Sequence, residues 1–407
     1  MSYMDLTKLY YMDQSRYHSE YQARFNAPDT IKFNFRIKKK QSFIVQNAEI
    51  SGIIFQILKL DKKISLLSSA LPGVAHEQFR KRCLIDEIVL TNKIEGVYST
   101  RREIALILDD LENTVKEKTS RKRFWGLVNQ YYMLREEGHT QLKSCEDLRQ
   151  LYDKLVLAEV IGEDSENAPD GELFRKESVS VHTTTEKEIH RGTNPESAII
   201  SEITDALAIL NDERIELLYR ISVFHYFLGY IHPFYDGNGR LGRFIISDFL
   251  SNELNPLLAY RISGTIMENI NAYYNAFKVC NDPRSVGDVT PFLIMMLNMI
   301  RISSIKLEES LQSRYARLER YSNIIGQLPG GEKGKTSSVY FALIQASLFS
   351  ENGITTRELN KLLENSYTTI KKELDFICNS ELLVRNRIGR EFFYMLDLEK
   401  LDELNKT

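Results

Sequence analysis

Residues 232–243 read His232-Pro233-Phe234-Tyr235-Asp236-Gly237-Asn238-Gly239-Arg240-Leu241-Gly242-Arg243. The glycines allow consecutive backbone N–H groups to point inward where a helix begins, which forms a nest for an anion. Arg240 and Arg243 are three residues apart and therefore share one helix face, where two guanidinium groups suit a polyphosphate. Asp236 offers carboxylate oxygens to Mg²⁺. His232 precedes a proline, so we expect an extended turn in which a neutral imidazole accepts a proton from a hydroxyl.

The composition describes an ordinary globular protein that needs no disulfide or structural metal. The chain has 407 residues, 43% hydrophobic and 27% charged, with 53 Lys and Arg against 56 Asp and Glu. A net charge of -3 argues against a main role in non-specific binding to nucleic acid or acidic membranes. The four cysteines (Cys83, Cys145, Cys280 and Cys378) form no CxxC pair, which is typical of a reducing compartment. We therefore predict a cytoplasmic protein without a membrane span.

Hydrophobic periodicity predicts a mostly helical chain. Helices are expected at residues 55–71, 77–93, 101–111, 122–137, 144–160, 195–210, 214–230, 241–254, 265–280 and 291–321. In the first of these we expect Phe55, Leu58, Leu60, Ile64 and Leu67 to face the core. Among the first 300 residues, only the segment Phe174 to His190 alternates in the manner of a strand, and it predicts a small hairpin.

The C-terminal segment predicts a winged helix-turn-helix. A linker composition at residues 322–336 precedes a helical stretch, then helices at 355–363 and 366–377 and a hairpin with Gly389 at its turn. The predicted recognition helix begins at Ser366, and the predicted wing carries Arg385, Arg387 and Arg390. Polar and basic residues at these positions suit DNA contact. From Tyr321 onward, however, 11 Lys and Arg face 12 Asp and Glu, so DNA and protein partners both remain open.

The segment from His232 to Arg243 resembles the Fic family signature HPFx(D/E)GNGRxxR and matches every specified position. The resemblance implies an all-α fold with one small β-hairpin and a protein adenylyltransferase that moves AMP from ATP to Ser, Thr or Tyr hydroxyls. It implies a general base at His232, a core anchor at Phe234 and a Mg²⁺ ligand at Asp236. It assigns nucleotide binding to Gly237, Asn238, Gly239, Arg240, Leu241, Gly242 and Arg243, with Arg243 on the γ-phosphate.

Two further segments are similar to Fic elements. Ser178, Val179, Ser180 and Val181, which follow Phe174-Arg175, resemble the flap that clamps a target peptide by strand addition. The proline-rich sequence that usually follows is reduced to Thr193-Asn194-Pro195. The stretch from Tyr273 to Phe277, with Asn281 beyond it, resembles the adenosine-contacting stretch, in which Tyr273 and Asn281 touch adenosine. Tyr274 is expected in the core.

An inhibitory motif is expected upstream. The sequence Thr91-Asn92-Lys93-Ile94-Glu95-Gly96 ends a predicted helix at a glycine and resembles the (S/T)xxxE(G/N) motif of Fic proteins. By that resemblance Glu95 forms a salt bridge with Arg243, removes the γ-phosphate partner and leaves ATP in an unproductive pose. In some relatives the same glutamate also helps water to remove AMP from a modified target.

These expectations define four regions and several rival functions. The regions are an N-terminal helical region with the inhibitory helix (1–115), a Fic core (116–321), a linker (322–336) and a winged-helix domain (337–407). The expected partners are a target protein, the chain itself as target, and a second copy in a homodimer. The rivals are a Fic enzyme with another donor, an enzyme that removes AMP, and a DNA-binding transcription regulator that senses nucleotide.

Overall fold

The computed structural model describes residues 3–113, 122–134, 140–182, 188–388 and 391–404. The chain divides into two compact units. The first comprises Met1–Asp61 and Ile85–Ile305, and the second comprises Lys62–Leu84 and Lys306–Thr407. The four regions expected from the sequence are a division by function and stay a prediction.

Helices dominate the N-terminal part of the chain, in the order α1 (Leu6–Met12), α2 (Gln14–Phe25), β1 (Thr30–Ile37), β2 (Lys40–Val45), α3 (Ala48–Ala70), α4 (Gly73–Ile94), α5 (Arg101–Asn113), α6 (Trp125–Met133), α7 (Cys145–Tyr152) and α8 (Ala158–Glu163). A π-helical turn, Asp153–Leu157, joins α7 to α8. The sequence predicted one continuous helix here. Such turns are rare and often accompany functional sites.

The site-bearing elements follow, in the order β3 (Ser180–His182), β4 (Glu188–Arg191), α9 (Glu196–Leu210), α10 (Leu217–Ile231), α11 (Asn238–Glu253), α12 (Ile262–Glu268), α13 (Ile270–Asn281) and α14 (Thr290–Asn323). Nearly every residue of α10 is buried, and Glu216 caps its first turn by accepting from the Tyr219 N–H. The all-α core with the small β3–β4 hairpin confirms the predicted fold class.

A second hairpin, β1–β2, was not predicted, so the expectation of one strand segment in the first 300 residues was wrong. Phe33, Phe35 and Ile37 alternate with exposed residues and are buried. The Phe35 ring stacks on Phe227 of α10 with centroids 3.8 Å apart. The turn is Lys38-Lys39, both at positive φ. Because lysine is not a turn signal, the sequence concealed this hairpin.

The core-facing stripe predicted for α3 was also wrong. Phe55 and Leu58 are 69% and 53% exposed, whereas Ile53 and Ile57 are buried. The helix carries apolar residues on two faces, so periodicity alone does not decide which face packs. Ile64 belongs to both patterns and is buried as expected.

Among the described residues, the second unit contains four helices and a small sheet after α14. They are α15 (Gly334–Phe349), β5 (Ile354–Thr355), α16 (Thr356–Leu363), α17 (Tyr367–Cys378), β6 (Leu383–Ile388), β7 (Glu391–Leu396) and α18 (Leu398–Leu404). The sheet is antiparallel with strand order β5–β7–β6. Gly389 and Arg390 lie outside the described residues. The predicted linker overlaps the end of α14 and the start of α15, and Ile325 and Leu328 within it are buried. The assignment of residues 337–407 as a winged helix stays a prediction.

One helical segment, Thr290–Gln327, is long and apolar enough to cross a membrane by length and composition alone. In its apolar window, 61% of the residues are buried inside the protein. That burial is typical of a core helix in a soluble protein. The apolar helix α10 is buried as well.

Candidate active site

The loop from α10 to α11 is fixed by a buried arginine. His232 ends α10 with φ 52° and ψ 64°, a left-handed conformation, so the extended turn expected before Pro233 was wrong. The Arg175 Nε donates to the His232 carbonyl (2.8 Å), and its Nη2 donates to the Thr193 carbonyl (2.8 Å). Arg175 is fully buried. It therefore holds the turn against the segment that follows β4, which explains how a proline-preceding residue adopts this strained geometry.

The His232 imidazole is neutral near pH 7. Burial lowers its pKa to about 4 because desolvation penalises the charged form. The Glu95 carboxylate opposes this shift, and the Arg175 guanidinium adds to it. A neutral imidazole at this position is able to accept a proton.

Asn238 holds the loop closed through its side chain. Its Oδ1 accepts from the Phe234 N–H (3.0 Å), and its Nδ2 donates to the Phe234 carbonyl (2.8 Å). The Phe234 ring stacks on Tyr152 with centroids 3.6 Å apart. The Asn238 side chain is thus engaged with backbone, and its backbone N–H in the first turn of α11 is the group placed to meet an anion.

Helix α11 begins at the glycine-rich turn with no side-chain cap on its N-terminus. Gly237 has φ 81°, which favours glycine. A Cβ at Gly239 would lie 2.1 Å from the Glu95 Oε1, so that carboxylate approaches the helix start where a phosphate would bind. Leu241 is buried in the core, and Gly242 packs against His225. Neither of these two residues lines the pocket described below.

Arg240 is fully buried between two carboxylates. Its Nη1 donates to the Glu159 Oε1 (2.6 Å), and its Nη2 lies 3.3 Å from the Asp236 Oδ2. Burial opposes ionisation of the Glu159 carboxyl and raises its pKa, although Arg240 counteracts the shift. Sequence reasoning missed Glu159. It lies on α8, far from the motif in sequence, and no local signal marks it.

Asp236 fits the role of a Mg²⁺ ligand. It is a half-exposed carboxylate, and its Oδ1 accepts from the Gly237 N–H (2.5 Å). No cluster of three His, Cys, Asp or Glu that could hold a metal occurs among the residues that the structure describes. Magnesium is often held by one or two carboxylates together with substrate phosphates, so this donor set suits the ion only alongside a bound nucleotide.

Arg243 is held by the motif at the end of α4. The Arg243 Nε donates to the Thr91 Oγ1 (2.7 Å), and Nη2 donates to the Thr91 carbonyl (3.0 Å). The same Nη2 lies 2.8 Å from the Glu95 Oε1. The predicted ion pair is therefore present, and Arg243 is fully buried within it.

The end of α4 presents Glu95 in a fixed geometry. The Val97 N–H bonds the Asn92 carbonyl and the Gly96 N–H bonds the Lys93 carbonyl, with Gly96 at φ 77°, which forms a Schellman motif. Burial opposes ionisation of the Glu95 carboxyl, but Arg243 and Arg240 outweigh it and lower its pKa. Glu95 is accordingly an anion at neutral pH.

A pocket beside these groups is lined by both polar and aromatic residues. Its polar lining includes Glu95, His190, His232, Asn238 and Gly239, and its other lining residues are His225, Leu228, Gly229, Tyr273, Tyr274, Phe277 and Asn281. The Tyr273 hydroxyl is 2.7 Å from the His225 Nε2, and the Asn281 Oδ1 accepts from the Tyr226 hydroxyl (2.7 Å). Aromatic and amide groups together with a helix N-terminus suit a nucleotide base and phosphates.

Tyr274 lines this pocket while half-buried, so its expected core position was wrong. His225 was expected to be a satisfied core histidine. It is buried, with burial lowering its pKa to about 3, and it forms one wall of the pocket. His225 precedes His232 by seven residues, which is two helical turns, and this spacing could have indicated that both residues face the same pocket.

The flap lies beside His232. Ser180 and Val181 in β3 pair with Arg191 and His190 in β4, and the Gly192 N–H bonds the Val179 carbonyl. Ser178 is exposed just before the strand. Within the described residues β3 pairs only with β4, so its other edge is open to strand addition.

Comparison with known proteins finds a family match for the part of the chain that carries the His232 loop and α11. Residues 143–250 match the Fic/DOC family. A Fic family protein from Desulfovibrio desulfuricans G20 has a similar structure, with TM-score 0.53, 20% identity, and coverage of 86% of this chain and 97% of that chain. Fic-1 from C. elegans has TM-score 0.46, 17% identity, and coverage of 76% and 81%. A Fic domain containing signaling protein from Bacteroides thetaiotaomicron VPI-5482 has TM-score 0.41, 15% identity, and coverage of 63% and 97%.

Residues 143–250 of this chain are a Fic/DOC family domain. The likeness to the Desulfovibrio protein shows the fold over most of the chain. Fic proteins are generally transferases that act on other proteins, commonly moving AMP or another nucleotide group from a nucleoside triphosphate.

Proposed function

We propose that this chain is a protein adenylyltransferase held inactive by its own inhibitory helix. It transfers AMP from ATP to a Ser, Thr or Tyr hydroxyl of a cytoplasmic protein target, which includes the chain itself. The observation that carries this proposal is the ion pair of Glu95 with Arg243, at 2.8 Å, because Glu95 lines the same pocket as a neutral His232.

The chemistry proposed for the site is an in-line displacement. The target hydroxyl oxygen attacks the α-phosphorus, the bond to the pyrophosphate oxygen breaks, and the hydroxyl proton passes to the His232 imidazole. The backbone N–H groups at the start of α11 stabilise the charge that develops on the phosphate oxygens. Bound Mg²⁺, held by Asp236, would neutralise charge on the phosphates.

Inhibition follows from competition for one guanidinium. The γ-phosphate and the Glu95 carboxylate are both anions that suit Arg243, and both fit the start of α11. While Glu95 occupies these groups, ATP lacks its γ-phosphate partner and its α-phosphorus is misplaced for attack. The open edge of β3 would receive the target segment, with backbone contacts that demand little of its side chains.

Intact-mass spectrometry of the Glu95→Gly variant after incubation with Mg²⁺ and ATP tests the reaction type. The proposal expects a mass increase of one AMP residue, and none when His232→Ala is added. An increase of one phosphate would replace the proposal with γ-phosphate transfer, and modification only with another nucleotide would change the donor. Loss of AMP from a previously modified protein would indicate the reverse reaction.

A DNA-binding regulator is the second candidate, favoured by the arrangement of the second unit. Three helices precede a hairpin, Lys371 and Lys372 are exposed on α17, and Arg385 and Arg387 are exposed on β6. Such a layout suits a helix in the major groove with a wing beside it. A gel shift with DNA that flanks the gene, repeated with Arg385→Glu and Arg387→Glu, tests it. Sequence-specific binding lost in both variants would support this role.

A further inference from the structure

The inhibitory helix α4 carries a buried carboxylate, Glu87, two turns before Glu95. Glu87, Thr91 and Glu95 are spaced four residues apart, so they follow one stripe of the helix. Glu87 is 1% exposed and Thr91 is fully buried. Thr91 and Glu95 both contact Arg243, whereas Glu87 is not part of the inhibitory motif and has no role in the proposed chemistry.

Glu87 connects α4 to α12 and, through it, to the helix that supplies Tyr273 and Asn281 to the pocket. Its carboxylate accepts from the Ser263 N–H at 3.1 and 3.0 Å, and its Oε1 accepts from the Ser263 hydroxyl at 2.5 Å. Ser263 lies in the first turn of α12, where backbone N–H groups have no partner within the helix. Helix α12 leads directly into α13, which supplies Tyr273 and Asn281 to the pocket.

We propose that Glu87 is a positioning residue that sets the strength of inhibition by fixing the inhibitory helix and by placing a negative charge one turn from Thr91, which contacts Arg243. This inference rests on the proposed function. In the inhibited state Arg243 faces the single charge of Glu95. In the competent state Arg243 would face the larger negative charge of a γ-phosphate. The Glu87 carboxylate repels that charge more strongly than it repels the single charge of Glu95. A neutral Glu87 therefore favours the competent state, and the weaker tie to Ser263 acts in the same direction.

The charge of Glu87 depends on pH in the neutral range. Burial raises its pKa to about 7, although Ser263, Arg243 and Arg261 stabilise the ionised form. The charged or titratable groups that face it are Arg243 of α11, Arg261 just before α12, and Tyr131 of α6. The arginines stay protonated, and burial raises the pKa of Tyr131 well above its usual range, so Glu87 is the group among these that titrates near neutrality. Below its pKa Glu87 is neutral, and inhibition should weaken.

The test compares self-modification by the full chain at about pH 6 and about pH 8. Glu87→Gln keeps the shape and removes the charge, and Asp86→Asn removes a charge from the same turn, where Asp86 pairs with Arg101. We expect wild type to transfer about fivefold faster at the lower pH, and Glu87→Gln to be about fivefold faster than wild type at the higher pH and insensitive to pH. Asp86→Asn should behave as wild type. Thermal unfolding of each variant verifies that it is folded.

The Glu95→Gly background separates inhibition from general damage. At saturating ATP the Glu95→Gly chain is already in the competent state, so Glu87→Gln should alter its rate by less than about twofold. An equal gain in both backgrounds, or a wild-type rate for Glu87→Gln at the higher pH, would overturn the inference. If Glu95→Gly itself transfers nothing, the proposed function fails, and calorimetry with Mg-ATP still tests Glu87. Glu87→Gln should bind about fivefold more tightly than wild type, and equal affinity would refute its role.

Discussion

Replacing Glu95 with Gln and with Gly should release activity in graded steps. The Glu95 carboxylate meets the Arg243 Nη2 at 2.8 Å, with the side chains 22% and 1% exposed, respectively, so solvent screens the pair weakly. A hydrogen bond to a charged group contributes about 1.5–3 kcal/mol, and a neutral one about 0.5–1.5 kcal/mol. Gln keeps an acceptor oxygen and removes the charge, whereas Gly removes the whole contact.

These free energies convert to rates. Each 1.4 kcal/mol is a factor of ten in an equilibrium between inhibited and competent states. Glu95→Gly should therefore raise the initial rate of AMP transfer about 10- to 150-fold, and Glu95→Gln about 5- to 12-fold. The rates are measured as AMP incorporated into the protein at saturating ATP. A rate for Glu95→Gln equal to wild type would show that charge does not hold Arg243, and a rate for Glu95→Gly equal to wild type would refute inhibition by this helix.

Three further outcomes follow from the site. The His232 pKa lies near 4 with Glu95 present and lower without it, and the neutral imidazole is the base, so the rate of Glu95→Gly should be flat between about pH 6 and pH 8 and should fall only at or below about pH 4. Asn238→Ala should lower the free energy of unfolding in urea by about 2–4 kcal/mol, since it strands two buried backbone groups, whereas exposed Asn271→Ala should change it by less than about 0.5 kcal/mol. Glu159→Gln should slow AMP transfer about tenfold by releasing Arg240, with circular dichroism unchanged.

The sequence was sufficient for the backbone geometry that is local in the chain. The spacing of Arg240 and Arg243, the glycines at the start of α11 and the glycine at the end of α4 each specify a short-range geometry, and the structure has these elements where they were expected. The pairing of Glu95 with Arg243 joins residues far apart in sequence. It came from resemblance to a family and not from any pattern of spacing.

Contacts between segments far apart in the chain could not be predicted from the sequence. Arg175 fixes the His232 turn, and Glu159 holds Arg240, yet nothing near either residue signals its partner. The left-handed His232 shows the same limit, because the preference for extended backbone before proline is overridden by buried hydrogen bonds from another segment. On α3, two apolar faces were visible, and packing alone determined that Ile57 is buried and Phe55 exposed.

The central claim is that Glu95 restrains a reaction that His232 catalyses. Transfer of label from ATP labelled at the α-phosphorus, compared among wild type, Glu95→Gly and the double variant Glu95→Gly/His232→Ala, tests it most directly. The account predicts strong self-labelling in the single variant and little in the other two. Equal labelling of the single and double variants would contradict catalysis by His232, and labelling of wild type as strong as that of Glu95→Gly would contradict inhibition by Glu95.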